Sequence, residues 1–126
     1  MSAHQVTFAW PISKLLNINQ ERSMHHQVRA KLVKPLREEA AAAFADTPFM
    51  SGRVNVRVTF RWPDGKRRDS ANWYPTAKAA VDGAVDAGVI TDDDDVHVAA
   101  FTIAADPTPG LKGYVLIGIA FEELTP

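Results

Sequence analysis

The stretch from Arg53 to Trp62 constrains the fold more than any other part of the chain. Its even positions are Val54, Val56, Val58, Phe60 and Trp62, and its odd positions are Arg53, Asn55, Arg57, Thr59 and Arg61. Strict alternation over ten residues is the signature of a strand with one face on a core and one face outward. The outward face then carries three arginines spaced about 7 Å apart along the strand. A strand of this kind needs partners and a cover, and the rest of the chain supplies candidates for both. Val6–Trp10 reads as a short first strand closed by Pro11. Val96–Ile103 and Tyr114–Phe121 read as two more, separated by the Pro107-Thr108-Pro109-Gly110 turn.

The cover is helical. From Met24 to Phe44 apolar residues recur at Val28, Leu32 and Leu36, with alanines at 40–43. Pro35 inside this span predicts a kink or two helices meeting there, and the opposite face carries Arg29, Lys31, Lys34 and Arg37. A second helix is expected from Pro75, suited to a first helical position, to Ala87, with Gly88 as its stop. Ala77, Val81, Ala84 and Val85 form its apolar stripe, and Lys78, Asp82 and Asp86 share another face at four-residue spacing. Residues 12–23 read as a loop in which Asn17, Asn19 and Ser23 offer turn and cap chemistry. The expected architecture is therefore one small α+β domain over residues 1–126, in the order β-α-β-α-β-β, with a mixed sheet of about four strands and two main helices.

At 126 residues with 46% hydrophobic and 23% charged side chains, the chain is large enough to build its own core. It contains no cysteine, which excludes disulfides and thiolate zinc and suits a reducing cytoplasm. No apolar run is long enough to span a bilayer, and no signal-peptide pattern opens the chain. A soluble, intracellular protein without a membrane partner is expected. Charge is distributed unevenly. Up to Lys78, thirteen lysines and arginines stand against six acids; beyond it Lys112 faces nine. A basic front and an acidic back are what separate phosphate-binding and cation-binding segments would produce, and scattered surface charge would look much the same.

Two clusters carry the candidate chemistry. Lys66-Arg67-Arg68-Asp69, with Asn72, precedes the second helix; Thr91-Asp92-Asp93-Asp94-Asp95 follows it. The ends of a 12-residue helix lie about 15–20 Å apart, so the clusters meet only if the chain doubles back along the helix or a dimer joins them. Hydrolysis of a phosphodiester favours such a meeting, because carboxylates can hold a hard divalent cation that activates water and withdraws charge. Taken alone, the aspartate run is more often a solvated loop with one carboxylate capping a turn. Lys66, Arg67 and Arg68, added to Arg57 and Arg61, would suit backbone phosphates or an ordinary exposed turn. Lys78 would suit a scissile phosphate, and a surface pair with Asp82 is the commoner outcome. His25 and His26 are weak candidates for general bases, and His97, placed on a strand, reads as structural. Trp10, Trp62 and Trp73 suit either base stacking or core packing.

Arg67-Arg68-Asp69-Ser70-Ala71-Asn72, then Lys78-Ala79-Ala80-Val81-Asp82-Gly83, then Asp86-Ala87-Gly88-Val89-Ile90-Thr91-Asp92-Asp93 together resemble the signature core of the RusA family of Holliday junction resolvases. The Trp10-Pro11 pair, Asn17 and Asn19 resemble that family's opening, and the element order agrees. The resemblance implies a small homodimeric endonuclease, often encoded by phages and prophages, that resolves four-way DNA junctions with Mg²⁺ or Mn²⁺ in the bacterial cytoplasm. It implies Asp69, Asp93 and Lys78 as the catalytic set and Asp69, Asp93 and neighbouring Asp92 as cation ligands. Branched DNA would be held by Lys66, Arg67, Arg68, Arg57, Arg61, Arg29 and Lys31. The family's second aspartate falls two positions after the first, where this chain has Ala71. The loss of that carboxylate also admits a protein that binds branched DNA without cutting it efficiently.

Overall fold

A computed structural model describes residues 2–124. The alternating stretch is a strand at the centre of the molecule, and every other element is arranged around it. The chain runs through β1 (Ala3–Pro11), a 3-10 turn (Ile12–Lys14), α1 (Ile18–Ser23), α2 (His26–Ala43), β2 (Val54–Arg61), a second 3-10 turn (Ser70–Trp73), α3 (Tyr74–Asp86), β3 (Val98–Asp106) and β4 (Tyr114–Glu123). The strands form one mixed sheet in the order β1-β4-β2-β3. β4 is antiparallel to both β1 and β2, whereas β3 lies parallel to β2 and is reached through α3. The fold is α+β, as the pattern of elements predicts.

Period two decides which face is covered. Val54, Val56, Val58 and Phe60 of β2 and Val115, Ile117, Ile119 and Phe121 of β4 are all at most 1% exposed. They meet Phe8 and Trp10 of β1 and the buried sides of α2 and α3 in one cluster. Full burial of each such side chain is worth about 1.5–3 kcal/mol, and a one-residue slip would turn all of them outward. The register is fixed by that penalty. Trp10 and Trp62 are spent on this core, while Trp73 packs at its margin against Trp62 at 5.0 Å between rings.

Several details depart from the sequence expectation. Residues 12–23 are not a plain loop, because Asn17 caps α1. Its side chain accepts from the Gln20 N–H while the Gln20 side chain accepts from the Asn17 N–H, a full capping box. Pro35 does not divide α2, which runs unbroken from His26 to Ala43. Pro35 and Lys31, whose carbonyl loses its partner, are both exposed, so water can satisfy that oxygen. The buried stripe of α2 is Leu36 and Ala40, continued by Phe44; Val28 is 49% exposed. β3 begins at Val98, and His97 therefore sits in the turn before it rather than on the strand. Among the described residues no helix is long and apolar enough to cross a membrane.

α2 and α3 approach closely at Gly83, where a methyl group would be driven into the Arg37 carbonyl oxygen and the Ala40 side chain. Both obstacles belong to a packed helix and cannot rotate away. Gly83→Ala is expected to destabilise the fold by about 1–3 kcal/mol, despite alanine's better helix propensity. Urea unfolding monitored by circular dichroism measures this, and an increase in stability would refute the close packing.

Candidate active site

The site is built around α3. The chain leaves β2 at Trp62 and turns through Pro63–Asp69, a segment stapled by Asp64 and Arg68. Asp64 Oδ1 accepts from the Lys66 N–H at 3.0 Å and from Arg68 Nη1 at 2.8 Å. The Arg68 guanidinium lies 4.2 Å from the centre of the Trp62 ring, an arginine–aromatic contact in addition to its carboxylate partner. Arg68, then the Lys66 N–H, hold the Asp64 carboxyl at about 2. Arg68 is therefore engaged within the loop, and the basic side chains left exposed there are Lys66 and Arg67.

Asp69 opens the next turn. Its Oδ1 accepts from the Ala71 N–H at 3.1 Å, so the first aspartate implied by the family resemblance acts as the cap of the 3-10 turn Ser70–Trp73. Pro75 then starts α3, and the buried Thr76 hydroxyl fixes its position by donating to the Leu16 carbonyl at 2.7 Å and accepting from the Leu16 N–H at 3.1 Å.

The reversal after α3 delivers the other half of the site. Gly88 takes φ +82, the Val89 N–H bonds the Ala84 carbonyl and the Gly88 N–H bonds the Val85 carbonyl. These two bonds are those of a Schellman cap. Buried Val89 and Ile90 anchor the returning chain, which runs back beside the helix. As a result Asp93 reaches Lys78: Lys78 Nζ lies 2.5 Å from Asp93 Oδ2 and 2.6 Å from Asp82 Oδ1. One ammonium thus bridges two carboxylates. The doubling back that a shared site requires happens in the chain that follows the helix.

The remaining aspartates of the run serve the backbone. Asp92 Oδ1 accepts from the Asp93 N–H at 2.8 Å. Asp94 Oδ1 accepts from the N–H groups of Val96 and His97 and lies 2.6 Å from His97 Nδ1. The His97 ring, helped by those N–H groups, keeps the Asp94 carboxyl below its ordinary range. Arg53 precedes β2 and donates to the Asp95 carbonyl at 3.1 Å. Among the described residues no three His, Asp or Glu side chains stand close enough to hold a metal ion, so Asp69, Asp92 and Asp93 are not gathered as one ligand set.

The electrostatics of the cluster follow from partial burial. Burial alone would lower the Lys78 pKa, but the hydrogen bonds the ammonium donates to Asp82 and Asp93 outweigh it and raise it. Burial tends to raise both carboxyls. For Asp93 the Lys78 contact prevails and the net shift is downward; for Asp82 burial, with repulsion from Asp93, prevails and the shift is upward. Lys78 and Asp93 also line a pocket of about 250 Å³, closed by Tyr74, Asp95, Val98 and Phe101. Arg37 was missing from the candidate set. Its guanidinium clamps Asp86 through two hydrogen bonds at 2.5 and 2.8 Å, tying α2 to the polar stripe of α3. The legible signal was Asp86 four residues after Asp82.

The seven basic residues proposed for DNA do not form one surface. Arg57 and Arg61 point to the sheet face away from the helices, whereas Arg29 and Lys31 belong to α2. Arg61 is committed to the carbonyls of Thr108 and Pro109, and Arg29 to Glu21 at 2.6 Å. Arg57, Lys31, Lys66 and Arg67 are exposed.

Lys78→Met in the presence of EDTA leaves two part-buried carboxylates facing each other. Lys78 is 36% exposed, so solvent screening discounts the loss to about 1 kcal/mol at pH 7. The sign follows from the shifts. In the wild type, Asp93 with its lowered pKa contributes stability above its unfolded value of about 4, and this is lost as pH falls through the folded value. In the variant the ammonium that lowers both carboxyls is gone, so both shift upward relative to the wild type and the destabilisation shrinks as pH falls. Urea denaturation at pH 7 and near pH 4 should show the gap between the two proteins closing; an equal gap at both would contradict the coupling. No protein-family model and no curated protein matches the chain.

Proposed function

We propose that the protein is a structure-specific endodeoxyribonuclease of the RusA type, acting on branched DNA such as Holliday junctions. The observation that carries this reading is the contact between Lys78 and Asp93. They are fifteen positions apart, the family resemblance selects both, and the Schellman reversal brings them together beside a pocket.

Mg²⁺ is the cofactor that the resemblance implies, and the donor set meets its minimum requirement. Such a cation takes one or two protein carboxylates, with water and substrate oxygens completing its shell. Asp93 and Asp82 form a pair of that kind, already sharing one positive charge, and Mn²⁺ makes the same demand. A three-carboxylate centre does not fit, because Ala71 has no donor and Asp69 faces its own turn. A divalent cation at the pair would supply Lewis acidity for phosphodiester hydrolysis. The chain's own part is clearer. Asp93 and Asp82 hold the Lys78 ammonium, which lines the pocket and can there neutralise charge on a phosphate oxygen. Lys66 and Arg67, presented by the Asp64–Arg68 staple, supply exposed cations near the start of α3 for the flanking backbone. A homodimer would set two such sites against the symmetry of a four-way junction.

One observation favours a second reading, in which the protein binds branched DNA and cuts it poorly. One of the two negative charges is already offset by Lys78, and the missing third carboxylate is not replaced from the aspartate run.

A labelled synthetic four-way junction, incubated with Mg²⁺ or with EDTA, separates the two. The nuclease reading expects paired nicks that require the cation and fall about a hundredfold or more in Asp93→Asn. Salt-sensitive binding without nicks supports the second reading. Ala71→Asp should raise the cation-dependent rate if a missing carboxylate limits it, and an unchanged rate would show that it does not.

A further inference from the structure

We propose that β3 and the pocket beside it form a docking groove for an extended, arginine-bearing peptide segment of another protein, which adds to the sheet as a further strand. β3 is an outer strand, and among the described residues no backbone hydrogen bond from outside the sheet reaches Ala99–Asp106. Such an edge presents a row of unpaired N–H and C=O groups, and it is ordinarily blunted by charge, proline or shortness. β1, the opposite edge, carries His4 and ends at Pro11. β3 runs for nine residues and meets its first charge only at Asp106. Ala99, Ala100, Thr102 and Ala105 are exposed along it, and side chains this small leave the backbone open to close approach.

Main-chain bonds to an edge give affinity, and a side-chain pocket beside it gives specificity. Such a pocket lies at the start of β3. Residues 98–101 form its strand side, and Tyr74, Asp93 and Asp95 stand on its other sides. Its volume of about 250 Å³ is smaller than a drug-sized ligand needs and suits one long side chain. The register irregularity at Val54/Asn55 leaves Ala99 without a partner on β2, so the regular edge begins at Ala100, itself a pocket residue. A strand laid along this edge therefore passes the pocket and can drop one residue into it.

The chemistry of the pocket selects a cation for that residue. Lys78 is bridged by Asp82 and Asp93, and two carboxylates against one ammonium leave an excess of negative charge. Asp95 adds a third carboxylate, which is exposed; Arg53 engages its backbone carbonyl and not its side chain. The Tyr74 ring, 45% exposed and 5.9 Å from that of Phe101, offers an aromatic surface beside these acids. Arginine meets all three features: its stem packs on apolar walls, its guanidinium stacks on a ring, and its fork pairs with a carboxylate. A peptide so placed covers Lys78 and Asp93, and it would block the candidate site whatever reaction that site performs.

The test uses no DNA and therefore stands apart from the test of cleavage. A displayed library of random peptides of about eight residues, a common strand length, is panned on the whole protein. It should enrich β-forming sequences that carry an arginine. A selected peptide, synthesised and labelled, should bind in fluorescence anisotropy and slow hydrogen exchange along Ala100–Asp106. Methylating those peptide nitrogens that face β3 removes the strand bonds, and replacing the arginine by glutamate sets like charges together; each should weaken binding about tenfold or more. Asp95→Lys, at an exposed position, should weaken it as much with unchanged circular dichroism. No enrichment, or enrichment of acidic or helix-forming sequences, overturns the proposal. Binding that survives either Asp95→Lys or backbone methylation, or that leaves exchange in β3 unchanged, overturns it too. Exchange in β3 that slows with protein concentration alone would assign the edge to a second copy and overturn it equally.

Discussion

α3 is buried on nearly every side, and the arrangement of charge in this protein follows from that burial. Pro75, Thr76, Ala77, Ala79, Ala80, Val81, Gly83 and Ala84 are all enclosed between the sheet and α2. What remains is one polar stripe, Lys78, Asp82 and Asp86, at the edge of a crowded interface. Charges so placed cannot be left unpaired without a desolvation cost. Asp86 is answered by Arg37 from α2, and Lys78 by Asp82 from its own helix and by Asp93 from the returning chain. The small residues that bring α2 close and the ion pairs that border it are two sides of the same packing.

The Schellman cap links this packing to the candidate chemistry. Gly88 supplies the positive φ that turns the chain, and Val89 and Ile90 pull it back against the core. Asp93 is carried to Lys78 by hydrophobic anchoring and not by attraction between distant charges. Of its neighbours, Asp92 and Asp94 satisfy backbone N–H groups of the turn. The run is thus both a capped loop and, through one residue, part of the site.

The basic residues divide in a similar way. Arg61 and Arg68 hold loops in place, Arg29 and Arg37 tie helices together, and Lys66, Arg67, Lys31 and Arg57 remain in solvent. An excess of positive charge in the first part of the chain therefore overstates the number of cations free to meet a phosphate backbone. The exposed pair Lys66 and Arg67 owes its position to an arginine that is itself occupied.

The strands and the two long helices were legible from local pattern, since periods of 2 and about 3.6 are written in the order of side chains and need no partner to be recognised. The helix stop at Gly88, the core face of β2 and the four-residue step from Lys78 to Asp82 belong to the same class. So does the capping box of Asn17 and Gln20, although it passed for a loop. Tertiary packing decided the remainder. Pro35 stays within a helix because its lost bond faces water, and Val28 falls outside the buried stripe because α2 is turned to place Leu36 and Ala40 inward. Asp69 and Asp93 resemble equal members of one site in sequence, yet one caps a turn and the other meets a lysine, because the path of a chain after a helix depends on which apolar residues the core accepts. Local order determines what each segment can be; only the shared burial of distant segments determines which charges end up side by side.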